Sequence, residues 1–239
     1  MEPAPGAYGR PRDDLCMPRA RHAGAGRESV TAHQEPPVEL TAAAREDGVD
    51  AAAAAARRLI DSLLRAGDGT EVAMSGITEQ LTAIADRLDA HAPPFDERMV
   101  AMWAGDATTR HDPVTGPENA LAPPVRFAGA ADGSVSAVVE LGVAYQGQPG
   151  CAHGGVSALL LDHALGVANH WGGRSGMTAE LTLRYRAPVP LFVPLAVTGR
   201  QVAVDGRKLW AEGAISTPDG AVCVAAKGFF IGKHLPRPR

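Results

Sequence analysis

Apolar positions along the chain fall into two textures. Leu59, Ile60, Leu63 and Leu64 follow the alanine run 51–56, and Ile77, Leu81, Ile84 and Leu88 recur at spacings of three and four, as on one face of a helix. The first set predicts a helix capped by Asp50 and ended by Gly67, the second a helix stopped before Pro93-Pro94. From Val125 onward the pattern shortens into β-rich runs punctuated by Asp132-Gly133, Asp205-Gly206 and Asp219-Gly220, pairs that accept the positive φ of hairpin turns. Antiparallel strands are therefore expected at 125–129 with 135–141, at 195–204 with 208–216, and at 208–216 with 221–231. Another strand is predicted over 177–186, with Thr178, Glu180, Thr182, Arg184 and Arg186 on one face and Ala179, Leu181, Leu183 and Tyr185 on the other.

Between the second and third of these strands, residues 155–171 read as one helix without Lys, Arg or Glu. A helix so apolar on nearly every side has to be wrapped by other structure. Two strands, one buried helix and four more strands make an α+β domain, a curved antiparallel sheet around one central helix. Residues 1–48 carry Pro, Gly, Arg and acidic residues with few large apolar side chains and are expected to form a disordered tail. Residues 49–118 would then be an N-terminal helical extension and residues 119–239 the main domain.

Composition narrows the function classes. At 239 residues and 45% apolar content, one full-sized core can be buried. A net charge of -4 without a basic block gives no footprint for nucleic acid. The three cysteines, Cys16, Cys151 and Cys223, are widely spaced and contain no Cys-x-x-Cys pair, which favours a reducing cytoplasm and gives no sign of a metal. No secretion signal and no run of about 18 apolar residues is found, so a soluble protein without a membrane span is expected. No cofactor is called for.

Candidate chemistry clusters around the central helix. Asp162 shares a face with Ala158, Leu159, Leu165 and Gly166, where a carboxylate would be desolvated. Such a group suits a general base or nucleophile, although a structural Asp paired with Arg184 has the same sequence signature. The small-residue segment 148–155 leads into the helix, whose first amides are unpaired and lie at the positive end of the dipole. Those amides can hold a carbonyl oxygen and the negative charge that develops on it. A Gly-rich turn that merely enters the helix reads alike. His153 and Asp162 are nine positions apart, which is two and a half turns and about 13 Å of rise, so they cannot meet within one chain. If they cooperate, the site joins two subunits.

The stretch 145–162 (YQGQPGCAHGGVSALLLD) resembles the motif of the PaaI-like hotdog thioesterases, and within them the branch of thioesterase superfamily members four and five. The similarity continues through 177–181, the Arg186-Ala187-Pro188-Val189-Pro190-Leu191 turn and Gly206-Arg207-Lys208, and spans roughly 120–232. It implies the hotdog fold and hydrolysis of acyl-CoA, or acyl-carrier, thioesters. By the same resemblance the Gly154 amide binds the thioester oxygen, His153 places the thioester, Asp162 activates water or attacks, and Thr178 positions the water. Gly155 is expected at the substrate, and Arg207 and Lys208 at CoA phosphates. A homodimer or dimer of dimers follows. Many relatives carry Asn six residues before the His, where this chain has Gly147. Two other readings stay open: a hotdog acyl-CoA dehydratase or hydratase, whose Asp or Glu and His work at carbon, and a noncatalytic acyl-CoA-binding protein.

Overall fold

The computed structural model describes residues 36–98 and 110–232. Most of the expected tail lies outside the described residues, but its last part is folded. Val38–Glu39 (β1) pairs antiparallel with Ala128–Gly129 (β2), and the Phe127 N–H donates to the Thr41 hydroxyl at 3.2 Å. Strand pairing is a backbone interaction, so it needs no apolar pattern, and the pattern gave no warning of it.

Helix α1 (Gly48–Ala66) begins after Asp47, not at Asp50. Asp50 is instead buried in the first turn. Its carboxylate accepts the Arg45 N–H at 2.6 Å and is paired with the guanidinium groups of Arg45 and Arg110. Glu118 closes the cluster through contacts of 2.7 Å to both arginines. Burial pushes the Asp50 pKa up, but the Arg45 amide and the two guanidinium groups outweigh it and hold the pKa at about 2. Because this lies below the ordinary value of 3.8, the stabilisation is present above pH 3.8 and lost as pH falls toward 2. Asp50→Asn should lower stability at pH 7 by up to about 3 kcal/mol and flatten the acid limb of the stability profile. Urea unfolding at pH 7 and pH 3 measures both effects, and equal midpoints at pH 7 would refute the role of the cluster.

The first helix ends at Gly67, which takes φ +56°, as the sequence predicts. Helix α2 (Met74–Asp89) also forms on the predicted residues, but none of them is buried and Ile84 and Leu88 are exposed.

The main domain is a seven-stranded sheet. After β1 and β2 come β3 (Ser134–Glu140), α3 (Gly154–Trp171), β4 (Gly176–Tyr185), β5 (Pro194–Asp205), β6 (Lys208–Ser216) and β7 (Val222–Gly232). The spatial order is β1-β2-β3-β5-β6-β7-β4, with every pair antiparallel. Gly133, Gly206 and Gly220 take φ of +82°, +56° and +84°, the conformations their Asp-Gly turns require. The chain leaves β3, crosses the sheet as α3, and lays β4 on the far edge. Later strands fill the gap between them. This route makes β4 an edge strand with its outer side unpaired among the described residues.

Leu160, Leu161, Ala164, Leu165 and Ala168 of α3 are fully buried against Val197, Leu209, Ile215, Val224 and Phe230 of the sheet. Each large aliphatic side chain buried in this way contributes about 1.5–3 kcal/mol. The helix comes close because the sheet is small where it passes. A Cβ on Gly199 would lie 2.9 Å from the Ala164 carbonyl oxygen, and one on Gly213 would lie 3.0 Å from Leu165 Cδ2. On another flank, His163 meets the Phe127 ring at 5.9 Å between centroids, and Trp171 Nε1 donates to the Ala130 carbonyl at 2.9 Å.

The wrapping is incomplete, contrary to the expectation for so apolar a helix. Leu159 is 41% exposed, Gly155 and His170 are exposed, and Asp162 is half-buried. A single sheet can cover only the face turned toward it, so the apolar remainder is left for another surface. Among the described residues no helix is long and apolar enough to cross a membrane.

Candidate active site

The loop before α3 is a tight, internally bonded turn. Gly147 N–H donates to the Cys151 carbonyl at 2.9 Å and Cys151 N–H to the Gln148 carbonyl at 2.9 Å, while Gly150 takes φ +75°. Ala152 N–H donates to the Val189 carbonyl at 2.8 Å and His153 N–H to the Tyr145 carbonyl at 2.8 Å, which strap the loop to its neighbours. A Cβ on Gly147 would lie 2.8 Å from His153 Cα. The loop therefore has no room for a side chain at position 147.

His153 is the N-cap of α3, with extended backbone at φ −63° and ψ 138°. Its Nδ1 accepts the Gly155 N–H at 3.0 Å, an imidazole doing what Ser or Asp more often does at a helix start. Gly155 is thereby committed to the helix cap. The neighbouring Gly154 N–H has no partner among the described residues and stands at the positive end of the helix. On its other side Gly154 is held by Tyr185, whose hydroxyl donates to the Gly154 carbonyl at 2.9 Å. His153, Gly154, Tyr185, Arg186 and Val189 line a cleft of about 600 Å³.

Asp162 lies two turns further along. The Thr178 hydroxyl donates to Asp162 Oδ1 at 2.9 Å, so helix and edge strand together orient the carboxylate. Simple alternation along β4 placed Thr178 on the face of Glu180, Thr182 and Arg184. A bulge between Thr178 and Glu180 shifts the register, so Thr178 pairs with the buried Phe230 and joins Leu181, Leu183 and Tyr185 on the helix side. The expected desolvation of Asp162 is also corrected, because the carboxylate is only half-buried by its own chain. Arg184, the alternative partner of Asp162, makes no ion pair with it.

The predicted residues therefore form two groups in one chain. His153, Gly154 and Gly155 stand at the helix start, and Asp162 and Thr178 form the other pair. Arg207 and Lys208 belong to neither group by direct contact. They occupy the β5–β6 turn, where Arg207 Nε donates to the Gly232 carbonyl at 3.1 Å and Lys208 is in the same cross-strand row as Ile231 and Met177. That row is next to the one containing Thr178.

Several residues stand beside the predicted ones without a clear signal in the sequence. Tyr185 was placed on the apolar face of β4, but a tyrosine there still needs a partner for its hydroxyl, and that need was the available signal. His163, next to Asp162, is 3.4 Å from Asp112 Oδ1. Burial lowers its pKa, opposed by the charges of Asp112 and Asp162. Nothing in the sequence linked Asp112 to this helix.

Residues 149–224 match the family described as Thioesterase superfamily, and residues 40–97 match the family described as Hypothetical protein RHA1_ro05818, N-terminal helical domain. The rat acyl-coenzyme A thioesterase THEM4 (Rattus norvegicus) is 33% identical over 98 residues, covering 41% of this chain and 42% of the relative. The cattle protein of the same name (Bos taurus) is 34% identical over 87 residues, covering 36% of this chain and 35% of its own. The chain thus matches about two fifths of the length of these curated relatives. The solved structure of protein RHA08564, a thioesterase superfamily protein, is 54% identical with a TM-score of 0.75, covering 82% of this chain and 96% of that one. Sequence and fold agree over nearly the whole of that neighbour, so the chain belongs to the thioesterase superfamily.

Proposed function

We propose that the protein hydrolyses acyl-CoA thioesters, with the Gly154 N–H as oxyanion donor and Asp162 as base or nucleophile. The observation that carries this reading is the pairing of an uncommitted amide at a helix start with a carboxylate oriented by a hydroxyl. The amide stabilises negative charge on the carbonyl oxygen as the bond to sulfur breaks. The carboxylate takes a proton from water, or adds to the carbonyl carbon itself. His153 fixes the cap and places the thioester, Thr178 positions the water, and Gly155, its N–H held by His153, borders the substrate without donating to it. Arg207 and Lys208 serve the CoA phosphates, and the reaction belongs to cytoplasmic lipid metabolism.

The complete site is formed by two chains, in a homodimer or a dimer of dimers. Support comes from the separation of the two groups along α3, from the open helix face around Leu159 and Asp162, and from the unpaired edge of β4. Met177 and Tyr185 on that edge are 70% and 54% exposed, which a partner strand and helix would cover. In this reading residues 49–118 are the extension and 119–239 the catalytic domain. Assay of the purified protein against a panel of acyl-CoA esters, with free thiol as readout, tests the function. Absence of turnover across the panel would reject it.

His153→Ala should lower kcat by about 10- to 1000-fold, less than loss of the carboxylate, because the Gly154 amide stays in place. It should also cost about 1 kcal/mol of stability, since the Gly155 N–H loses its cap. Steady-state kinetics and thermal unfolding of the same preparation separate the two effects. An unchanged kcat would reduce His153 to a capping residue.

A further inference from the structure

Ser157 is one turn beyond Gly154 on α3, on the face that buries Leu160, Leu161 and Ala164. It is 1% exposed, yet its hydroxyl has no hydrogen-bond partner among the described residues. A buried serine in a helix ordinarily satisfies itself by donating to a carbonyl one turn back. Here those carbonyls are engaged. The His153 carbonyl accepts from Val156 N–H at 2.9 Å and from Ser157's own N–H at 3.3 Å. The Gly154 carbonyl accepts from the Tyr185 hydroxyl at 2.9 Å. Tyr185 thus occupies the local acceptor that the serine would otherwise use.

The direction of the side chain makes this hydroxyl consequential. Helical side chains lean toward the N-terminus, so Ser157 leans over the turn that contains the Gly154 N–H. It also lines the same cleft as His153, Gly154 and Tyr185. Alanine would fill this place without burying a polar group. The other buried polar atom without a partner, Asn169 Nδ2, is near the far end of the helix, and its side chain is already bonded to Gln201.

We propose that Ser157 is a further substrate-binding residue, whose hydroxyl donates to the thioester carbonyl beside the Gly154 amide. The inference rests on the hydrolase reading above. Ser157 forms no covalent bond and keeps its proton throughout. It supplies a second donor that strengthens as the carbonyl oxygen gains negative charge.

The test compares Ser157→Ala with the parent on two probes: the acyl-CoA ester that the parent hydrolyses fastest, and the S-alkyl-CoA thioether of the same chain length, which lacks the carbonyl. The variant should lose about 10- to 100-fold in kcat/KM on the ester. It should bind the thioether within about twofold of the parent, and its thermal midpoint should be no lower, since a buried unpaired hydroxyl has been removed. Ester turnover within about twofold of the parent would overturn the proposal. So would a loss of thioether binding as large as the loss of turnover, because that pattern marks a packing role. A parent that hydrolyses no ester rejects the hydrolase reading, and Ser157 is then judged by binding of hexanoyl-CoA and hexyl-CoA. A preference for the ester in the parent that vanishes in the variant upholds the contact, and equal binding in the parent overturns it.

Discussion

Asp162→Asn should reduce acyl-CoA hydrolysis by about 10²- to 10⁴-fold, the range expected when a positioned proton acceptor is lost. The substitution is close to isosteric. The amide oxygen can still accept from the Thr178 hydroxyl, which now donates to Asp162 Oδ1 at 2.9 Å, so helix and edge strand should stay in register. What disappears is the ability to take a proton from water or to attack the carbonyl. Because the carboxylate is half-buried and belongs to no ion pair among the described residues, its removal leaves none of their charges stranded, and the thermal midpoint should move little. Thiol release measured alongside thermal unfolding separates chemistry from folding. A well-folded variant that turns over within a few-fold of the parent would remove Asp162 from the mechanism.

The hairpins and the central helix were legible in the sequence because their signals are local. Each Asp-Gly pair specifies its own turn, and the run 154–171 declares an apolar helix by composition, though not how much of it the chain's own sheet covers. Thr178 was found through the family motif, whereas strand alternation put it on the wrong face. One bulged residue reverses every facing relation on its N-terminal side, and the choice of where to bulge depends on pairing with β7. Asp50 shows the same limit. Its place near a helix start suggests a cap, but Arg110, 60 residues away in sequence, and Arg45, both also held by Glu118, decide that it is buried instead. Tyr185 is hidden because its significance lies in the carbonyl its hydroxyl reaches, and Ser157 because its buried hydroxyl reaches none among the described residues, and no periodicity encodes either.

Mixed subunits should recover activity that neither mutant has alone. Asp162→Asn chains keep an intact helix start, and Gly154→Pro chains keep Asp162 while lacking the oxyanion amide. The proline should be accommodated. Position 154 is the first residue of α3, where proline fits a helix, and His153 before it already has the extended backbone that a following proline requires. An added Cβ at position 154 would meet Tyr185 no closer than 3.4 Å. When equal amounts are unfolded and refolded together, about half of the dimers are mixed. In each, one site combines the intact helix start with the intact carboxylate, and the other combines both defects. Activity per site should therefore return to roughly a quarter of the parent's. Circular dichroism checks that the Gly154→Pro chain folds, and differently tagged chains show that mixing took place. Folded, mixed and inactive dimers would mean that Asp162 works with groups of its own chain, and the two-chain site would be wrong.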